Sequence, residues 1–530
     1  MHLSDLASWT ARRRLSSNRP VVDAVTLMVV TVMCCWIFSL PLRSHGFLLG
    51  FAQDDFYYYL KPAQSLAAGH APTFDGSTPT NGFHPLYLLL LTTASTVTSS
   101  LRGVFGVLWA LDVLSATTAF LITRRIFYRV TPNSLLSNAC GLCIMLLCIP
   151  LICNQMEVTL ALPLGLAFLA VSFVPPNRYT VGRCTGLGLL GAMTMLARLD
   201  ASILIFLLLV GLALTRESRA VFTTQNMLSF AAAALPLPLL YFAVNIHFFH
   251  VMLPISGIAK QLRHGWRPSD GFISSFSGIS ILQLEAAITA ALVGWATRRH
   301  LRSEEKVFLF AGLSTPFLFY GVEMFVSDWP LWNWYFYALR YASTATLVML
   351  CIVLSRDLLP LRYTALRHLE RRSWPIFAFY AANMVVLFNT HYKVDVWMVE
   401  IQHAASILNR FEQTHPGKYA MGDRAGMFGY STSASVLQTE GLVMDRAYID
   451  HIRSQDNLRS VLSSYGVNYY VAFVFSVKYK KQFAGPCFHA MEPSIAGPDS
   501  PRMRSDFCEA PLFVFPGFDG KYLIYRINPS

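Results

Sequence analysis

Long apolar runs recur along this 530-residue chain, and they restrict its architecture more than any single motif does. A helix that crosses a bilayer needs about 20 mostly apolar residues. Runs of that kind lie at roughly 21–42, 104–127, 135–153, 158–174, 184–198, 200–215, 227–248, 277–297, 306–326, 335–355 and 374–391. The fifth and sixth are short and are open between one bent span and a tight pair. Composition agrees with a membrane protein. Hydrophobic residues make up 54% and charged residues 14%, against roughly 25% charged in soluble domains. The chain reads as a polytopic α-helical membrane protein with about eleven transmembrane helices, and the lipid bilayer is its first partner. Its net charge of +12 is scattered between apolar runs rather than gathered on one face. That pattern fits loop charge and argues against a nucleic-acid partner.

Arginine placement sets the expected topology. Arg12, Arg13 and Arg14 precede the first run, which lacks a small-residue cleavage site and reads as a retained first helix. The N-terminus is therefore expected in the cytoplasm, with Asp54 and Asp55 outside. The run 84–100 is the ambiguous one. If it crossed, Arg124, Arg125 and Arg129 would fall outside. If it lies along the outer membrane surface, those arginines fall inside. So then do Arg178 and Arg183, Arg216 and Arg219, the cluster 298–302 and the arginines from Arg362 to Arg372. The split of "HPLYLLLLTTASTVTSS" into an apolar half and a Thr/Ser half suits a helix lying flat.

Composition changes after residue 391, which divides the chain into a membrane unit, 1–392, with a long first outer loop at 43–103, and an outer unit, 393–530. In the second unit "KYAMG", "NYYVAFVF", "LFVF" and "KYLIYRI" read as strands, and "DNLRSVLSSYG" as a short helix ended by Gly466. This predicts a small C-terminal α/β domain on the extracytoplasmic side. The spaced glycines of "GDRAGMFGY" read as turns beside a strand. Eight of the ten cysteines lie in apolar runs and read as small buried hydrophobes. Cys487 and Cys508 lie in the polar segment and are able to pair in an oxidising compartment.

With that topology the polar residues of separate outer loops share one membrane face. Loop one carries "QDDFYYYLKPAQSLAAGHAPTFDGSTPTNGFHPLY", and later outer turns carry "NQMEVTL", "ARLDA", "LPISGIAKQLRHGW" and "SDWPLWNWYFY". Ionisable groups at membrane depth are costly and mark functional positions. Each has a plainer alternative. Asp54 and Asp55 suit a solvated loop start. Glu157 suits the dipole of the helix it opens. Lys260 suits a snorkelling lysine; Arg263 of the same loop is expected to be a further substrate-binding cation, beside His264. The Trp/Tyr cluster suits an aromatic belt, and Tyr57, Tyr58 and Tyr59 are open between a belt and a sugar contact. His84 before Pro85 suits a helix start. No spacing suggests a metal site. Together the groups suit a general base beside an acceptor hydroxyl, with a second acid to tune it and cations to hold a phosphate leaving group.

"DDFYYYLKPAQSLAAGHAPTFDG" followed by "TNGFHPLY" resembles the first outer loop of the GT-C superfamily of membrane glycosyltransferases, in its bacterial arabinofuranosyltransferase-like and mannosyltransferase-like branch. "QMEVTL" and "LPISGIAK" are similar to later loops of that branch, and "GDRAGMFGY", "EGLVMD" and "YGVNYYV" to its C-terminal domain. The resemblance implies a GT-C fold in a bacterial inner membrane. It also implies inverting transfer of one sugar from a polyprenyl-phosphate donor to an extracytoplasmic glycan, lipid or protein acceptor. Asp54 would be the base and Asp55 its partner. Glu157 would contact sugar or acceptor, Lys260 the donor phosphate, and Asn81 and His84 would line the site. No divalent metal would be obligatory. Two positions depart from the branch: Tyr87 stands where it often has Trp, and Gln155 where it often has Gly. Two other classes fit less well. A flippase for a lipid-linked saccharide would carry midplane charges and repeated halves, and a non-catalytic assembly protein would not keep the acid pair.

Overall fold

The computed structural model describes residues 19–265, 270–354, 396–475, 483–484 and 487–527. The N-terminal arginines, the basic segment 362–372, the expected span 374–391 and the boundary at 392/393 lie outside them. The first half of the chain is helical: α1 Arg19–Phe38, α2 Asp54–Ala67, α3 Pro85–Val97, α4 Leu101–Val130, α5 Ser134–Ile152, α6 Val158–Ser172, α7 Val181–Ala197, α8 Ser202–Leu214, α9 Thr224–Ala234 and α10 Pro236–Phe249. A short α11, Ile255–Lys260, precedes α12 Gly278–Ala296, α13 Ser303–Val326 and α14 Ala338–Val353.

Among the described residues six helices are long and apolar enough to cross a membrane: Leu101–Val130, Ser134–Ile152, Thr224–Phe249, Gly278–Ala296, Ser303–Val326 and Asn333–Val353. Four more of the expected spans fall on shorter apolar helices, those of α1, α6, α7 and α8. The helices differ in how much protein surrounds them. Asn333–Val353 is 72% buried, whereas Thr224–Phe249 is 11% buried. The exposed Leu228, Leu239, Leu240, Ile246 and Phe248 of the latter read as a lipid-facing surface.

Polar contacts show which helix ends lie together. Arg124 of α4 pairs with Asp23 of α1 at 2.5 Å, so the end of α4 lies beside the start of α1. Arg129 donates to the carbonyls of Ala170 (2.8 Å) and Phe173 (2.9 Å) at the end of α6. Arg183 at the start of α7 donates to Val171 at 3.2 Å. These guanidiniums satisfy the carbonyls a helix end leaves unpaired. At the other end, Arg102 of α4 bonds the carbonyl of Leu42, just beyond α1. Helix α3 begins near the α6 start through His84 and ends at Val97, four residues before α4. Both its ends lie at the end of the bundle opposite the arginines, so α3 runs alongside the bundle without crossing it. The short runs at 184–198 and 200–215 form a tight pair of helices turning at Arg198–Ala201.

The C-terminal unit carries α15 Val396–Glu412, α16 Ala425–Ser431, α17 Arg446–Ser454 and α18 Leu458–Ser464 around two sheets. Its strands are β1 Tyr419–Met421, β2 Val436–Gln438, β3 Tyr469–Phe475, β4 Phe483–Ala484, β5 Cys487–Glu492, β6 Met503–Phe507, β7 Phe513–Gly517 and β8 Gly520–Arg526. The larger sheet runs β2-β1-β3-β8-β7, with β1 parallel to β2 and β3, and β8 antiparallel to β3 and β7. The smaller sheet, β4-β5-β6, was not expected, and a disulfide between Cys487 and Cys508 ties it together. "GDRAGMFGY" turns at Gly422–Arg424, beside β1 as expected, and its remainder forms α16, which was not expected.

Loop one and the C-terminal unit are bolted together. The Asp75 carboxylate accepts from Ser77 and Thr78 N–H groups, which fixes the loop 73–80, and pairs with Lys418 of the C-terminal unit at 2.7 Å. Lys61 donates to the carbonyl of Gly429 at 2.7 Å. Gly82 approaches so near that a Cβ there would lie 1.9 Å from the Leu442 carbonyl oxygen. A side chain at 82 would separate the two units.

Candidate active site

Where these elements converge, a cavity of about 290 Å³ opens. Its walls come from eight separate stretches. Asp55, Tyr58 and Tyr59 come from α2, and His84 caps α3. Glu157 opens α6, Arg198 and Asp200 form the α7–α8 turn, and Lys260 ends α11. Glu323, Trp334 and Tyr335 close the far side, and Leu442 and Val443 roof it from the C-terminal unit.

The two adjacent acids of α2 divide. The Asp54 carboxylate accepts the backbone N–H groups of Met427 (2.7 Å) and Gly426 (3.1 Å), the first turn of α16. A Cβ at Gly426 would lie 2.2 Å from the Asp54 carbonyl oxygen, so only glycine permits this approach. Asp55 faces the cavity. Burial pushes Asp55 up to about 6; Lys260 pulls it down, while Glu157 and Asp423 raise it. Asp54 is pushed up to about 7, again chiefly by burial, with the Met427 N–H working against the shift.

Glu157 does not cap α6 with its side chain. Its Oε1 meets Arg198 at 2.5 Å, while the buried Oε2 has no hydrogen-bond partner among the described residues. Arg198 is held on every side. Asp200 accepts from its Nε at 2.9 Å, and the rings of Tyr335 and Tyr337 lie 4.6 and 4.7 Å from its guanidinium. His84 Nδ1 accepts the Leu199 N–H at 3.3 Å, which turns Nε2 toward Glu157, 3.9 Å away. Burial holds this imidazole below its ordinary range, so it is neutral near pH 7. Lys260 donates to the Tyr335 hydroxyl at 2.8 Å. Burial works against its charge, but Tyr335 and Asp55 outweigh it and push the ammonium above its ordinary value.

The remaining expected site residues are spread more widely. Tyr58 lines the cavity and packs on Phe74. Tyr57, Tyr58 and Tyr59 are all buried, so they form no membrane belt. Asn81 does not line this cavity. It accepts from Ile255 N–H at 3.1 Å and donates to the Leu253 carbonyl, so it holds the stretch that leads to Lys260. Arg263 also lies elsewhere, bonding the Met324 carbonyl at 2.6 Å and Asp499 at 3.2 Å. Sequence reasoning missed Glu323, Asp423 and Glu440, and it read the tryptophans of "SDWPLWNWYFY" as an aromatic belt rather than a binding platform. Trp329 and Trp334 are buried instead.

The two positions that depart from the branch, Tyr87 and Gln155, touch each other. Gln155 adopts φ 53°, a left-handed backbone that favours glycine. Tyr87 donates to the Gln155 carbonyl at 2.7 Å, and the Gln155 amide donates to Asp112 at 2.7 Å. These bonds hold Gln155 in that conformation, two residues before Glu157. Among the described residues no group of three or more His, Cys, Asp or Glu side chains is placed to hold a metal ion.

No protein-family model and no curated protein matches this sequence. Two solved structures resemble it. ArnT from Cupriavidus metallidurans, solved bound to undecaprenyl phosphate, aligns with a TM-score of 0.54 and 14% identity over 93% of this chain and 98% of that one. An oligosaccharyltransferase from Archaeoglobus fulgidus aligns with a TM-score of 0.47 and 11% identity over 90% of this chain and 74% of that one. The second likeness is too weak to carry an inference about this chain. The first shows the fold alone: this chain shares the architecture of that protein, mostly helical with a small C-terminal sheet domain.

Proposed function

We propose that this chain is an inverting glycosyltransferase moving one sugar, a hexose or a pentose, from a polyprenyl-phosphate carrier to an extracytoplasmic acceptor hydroxyl. The observation that carries this reading is Asp55. Its half-buried carboxylate faces a cavity that also holds the Lys260 ammonium, and it titrates near 6, suited to a base at neutral pH. Asp55 removes the proton from the acceptor hydroxyl as that oxygen attacks the anomeric carbon. The bond from that carbon to the phosphate oxygen breaks, and its electron pair leaves with the phosphate. Lys260 meets the charge that develops there, and the unpartnered Glu157 Oε2 accepts a sugar hydroxyl. The base is thus assigned to Asp55, and Asp54 becomes the tie to α16. That exchanges the roles the family resemblance implies.

Two further features support a lipid-borne donor outside the cytoplasm. An apolar groove of about 440 Å³, walled by α3, α4, α6 and α7, includes Thr159 and Leu160, which follow Glu157 along the chain. The disulfide of the C-terminal unit suits an oxidising compartment. A bacterial plasma membrane, with the arginine-rich end of the bundle inward, fits both. Lys260 supplies the charge a divalent cation would otherwise supply, so chelation is expected to leave the rate unchanged. The test is to incubate the protein in vesicles with synthetic polyprenyl-phosphate sugars and read the product's anomeric configuration by NMR. Inversion is expected. Retention would contradict the single displacement, and sugar crossing the vesicle without product would favour transport.

A further inference from the structure

A second, smaller cavity adjoins the first. The two share Asp55, Tyr58, Lys260, Trp334 and Leu442 on their linings. The smaller one adds Asp423 and Glu440 from the C-terminal unit and Trp329 and Trp332 from the loop before α14. We infer that this smaller cavity is the acceptor subsite and that it takes a neutral carbohydrate; the inference rests on the glycosyltransferase reading above.

The argument starts from what the walls offer. Trp332 and Trp334 stack, with ring centroids 6.1 Å apart and planes 15° apart, and Trp332 remains 39% exposed. A sugar ring presents a face of weakly positive C–H groups, which suits the negative face of an indole. Trp329 is 3% exposed and its Nε1–H has no partner among the described residues, a buried donor able to meet an acceptor. The remaining polar groups are mainly acceptors. Asp54, Asp55, Asp423 and Glu440 face one lysine.

Lys260 is the single cation of this wall, whereas the larger cavity adds the Arg198 guanidinium, so a phosphate or carboxylate ligand suits the larger cavity better. The four carboxylates do not demand a cation, because several already have donors. Asp54 takes two backbone N–H groups, and Glu440 accepts from the Gln438 amide at 3.3 Å and from the Ser494 hydroxyl at 3.4 Å. Burial first, then Asp423, pushes Glu440 above the usual carboxylate range, so it is able both to donate and to accept. Hydroxyls, which also do both, are its natural partners. A peptide acceptor fits poorly, since its carbonyls need donors and this wall has few. With a sugar in the smaller cavity, one hydroxyl reaches Asp55 at the junction.

The test uses the full chain in detergent without any donor, so it does not depend on transfer. Neutral disaccharides of mannose, galactose, glucose and arabinose are titrated against it, with a Ser/Thr tripeptide in parallel. Binding is read by tryptophan fluorescence and saturation-transfer NMR, with thermal unfolding to confirm that variants fold. At least one disaccharide is expected to saturate the signal. Trp332→Ala and Asp423→Asn are each expected to weaken it by roughly tenfold, the loss of one good contact. The inference fails if no disaccharide binds, if binding ignores both substitutions, or if the tripeptide alone binds with that dependence. Saccharide binding with no sugar transfer would overturn the glycosyltransferase reading and keep the saccharide site. Transfer to a non-carbohydrate acceptor, untouched by Trp332→Ala, would do the reverse.

Discussion

The two cavities that meet at Asp55 are built from different materials. The larger is lined mainly by the membrane helices and their loops, with Leu442 and Val443 as its roof, and it holds the cations Arg198 and Lys260 among its acids. The smaller is lined by loop residues and by the C-terminal unit, and sets carboxylates and tryptophans against one lysine. On the proposed function, charge sorts the two substrates: a lipid phosphate goes to the cavity with two cations and a neutral polyol to the one with a single lysine, and the proposed base, Asp55, lines both. The adjacent residues Asp54 and Asp55 repeat the contrast in miniature, since Asp54 is tied to α16 and lines only the smaller cavity, while Asp55 lines both.

The widest gap should separate those neighbours. Asp55→Asn is expected to slow transfer by about 10²–10⁴-fold, the usual worth of a general base, while donor and acceptor still bind. Asp54→Asn should cost far less in turnover and mainly loosen the C-terminal unit. Equal losses, measured under single-turnover conditions, would break the comparison. Next in size is pH. Only ionised Asp55 accepts a proton, so below its value of about 6 the rate should fall tenfold per pH unit. Lys260 pulls that value down, so Lys260→Met should move the acid limb to higher pH and raise the donor KM. An unmoved limb would separate Lys260 from the base.

Smaller effects test the seam between the units. Gly426→Ala forces a Cβ against the Asp54 carbonyl and should destabilise the protein by about 1–3 kcal/mol, as overpacking does. Thermal unfolding in detergent reads this directly, and an unchanged Tm would mean the seam is loose. Gln155→Gly should have the least effect, lowering stability by about 1 kcal/mol. It relieves left-handed strain but removes a buried hydrogen bond to Asp112. A higher Tm would show that the strain outweighs the bond.

Much of this fold and site is legible in the sequence. Apolar runs mark most of the helices, and the family motifs point to the fold. Asp55, Glu157, His84, Tyr58 and Lys260 all stand out in the outer loops, and all line the cavity. The division between Asp54 and Asp55 is not legible. Successive residues on a helix point about 100° apart, so an acid pair cannot share one face, but only the packing of α16 decides which acid it meets. That helix is itself hidden. Gly426 and Gly429 disfavour a helix by propensity, yet close approach to Asp54 and to Phe74 requires them. Asn81 reads as a site residue through the family resemblance, and Arg263 because it shares a loop with Lys260. Their side chains instead join loops through backbone carbonyls and N–H groups, which no spacing shows.

The central claim is that Asp55, at the junction of the two cavities, takes the acceptor proton. Chemical rescue tests it most directly. Asp55→Ala and Asp54→Ala are assayed for transfer with rising formate and acetate, which fit the space a lost carboxylate leaves. The account predicts that small carboxylates restore transfer in Asp55→Ala in proportion to their concentration and do nothing for Asp54→Ala. Rescue of Asp54→Ala alone would contradict it and return the base to Asp54.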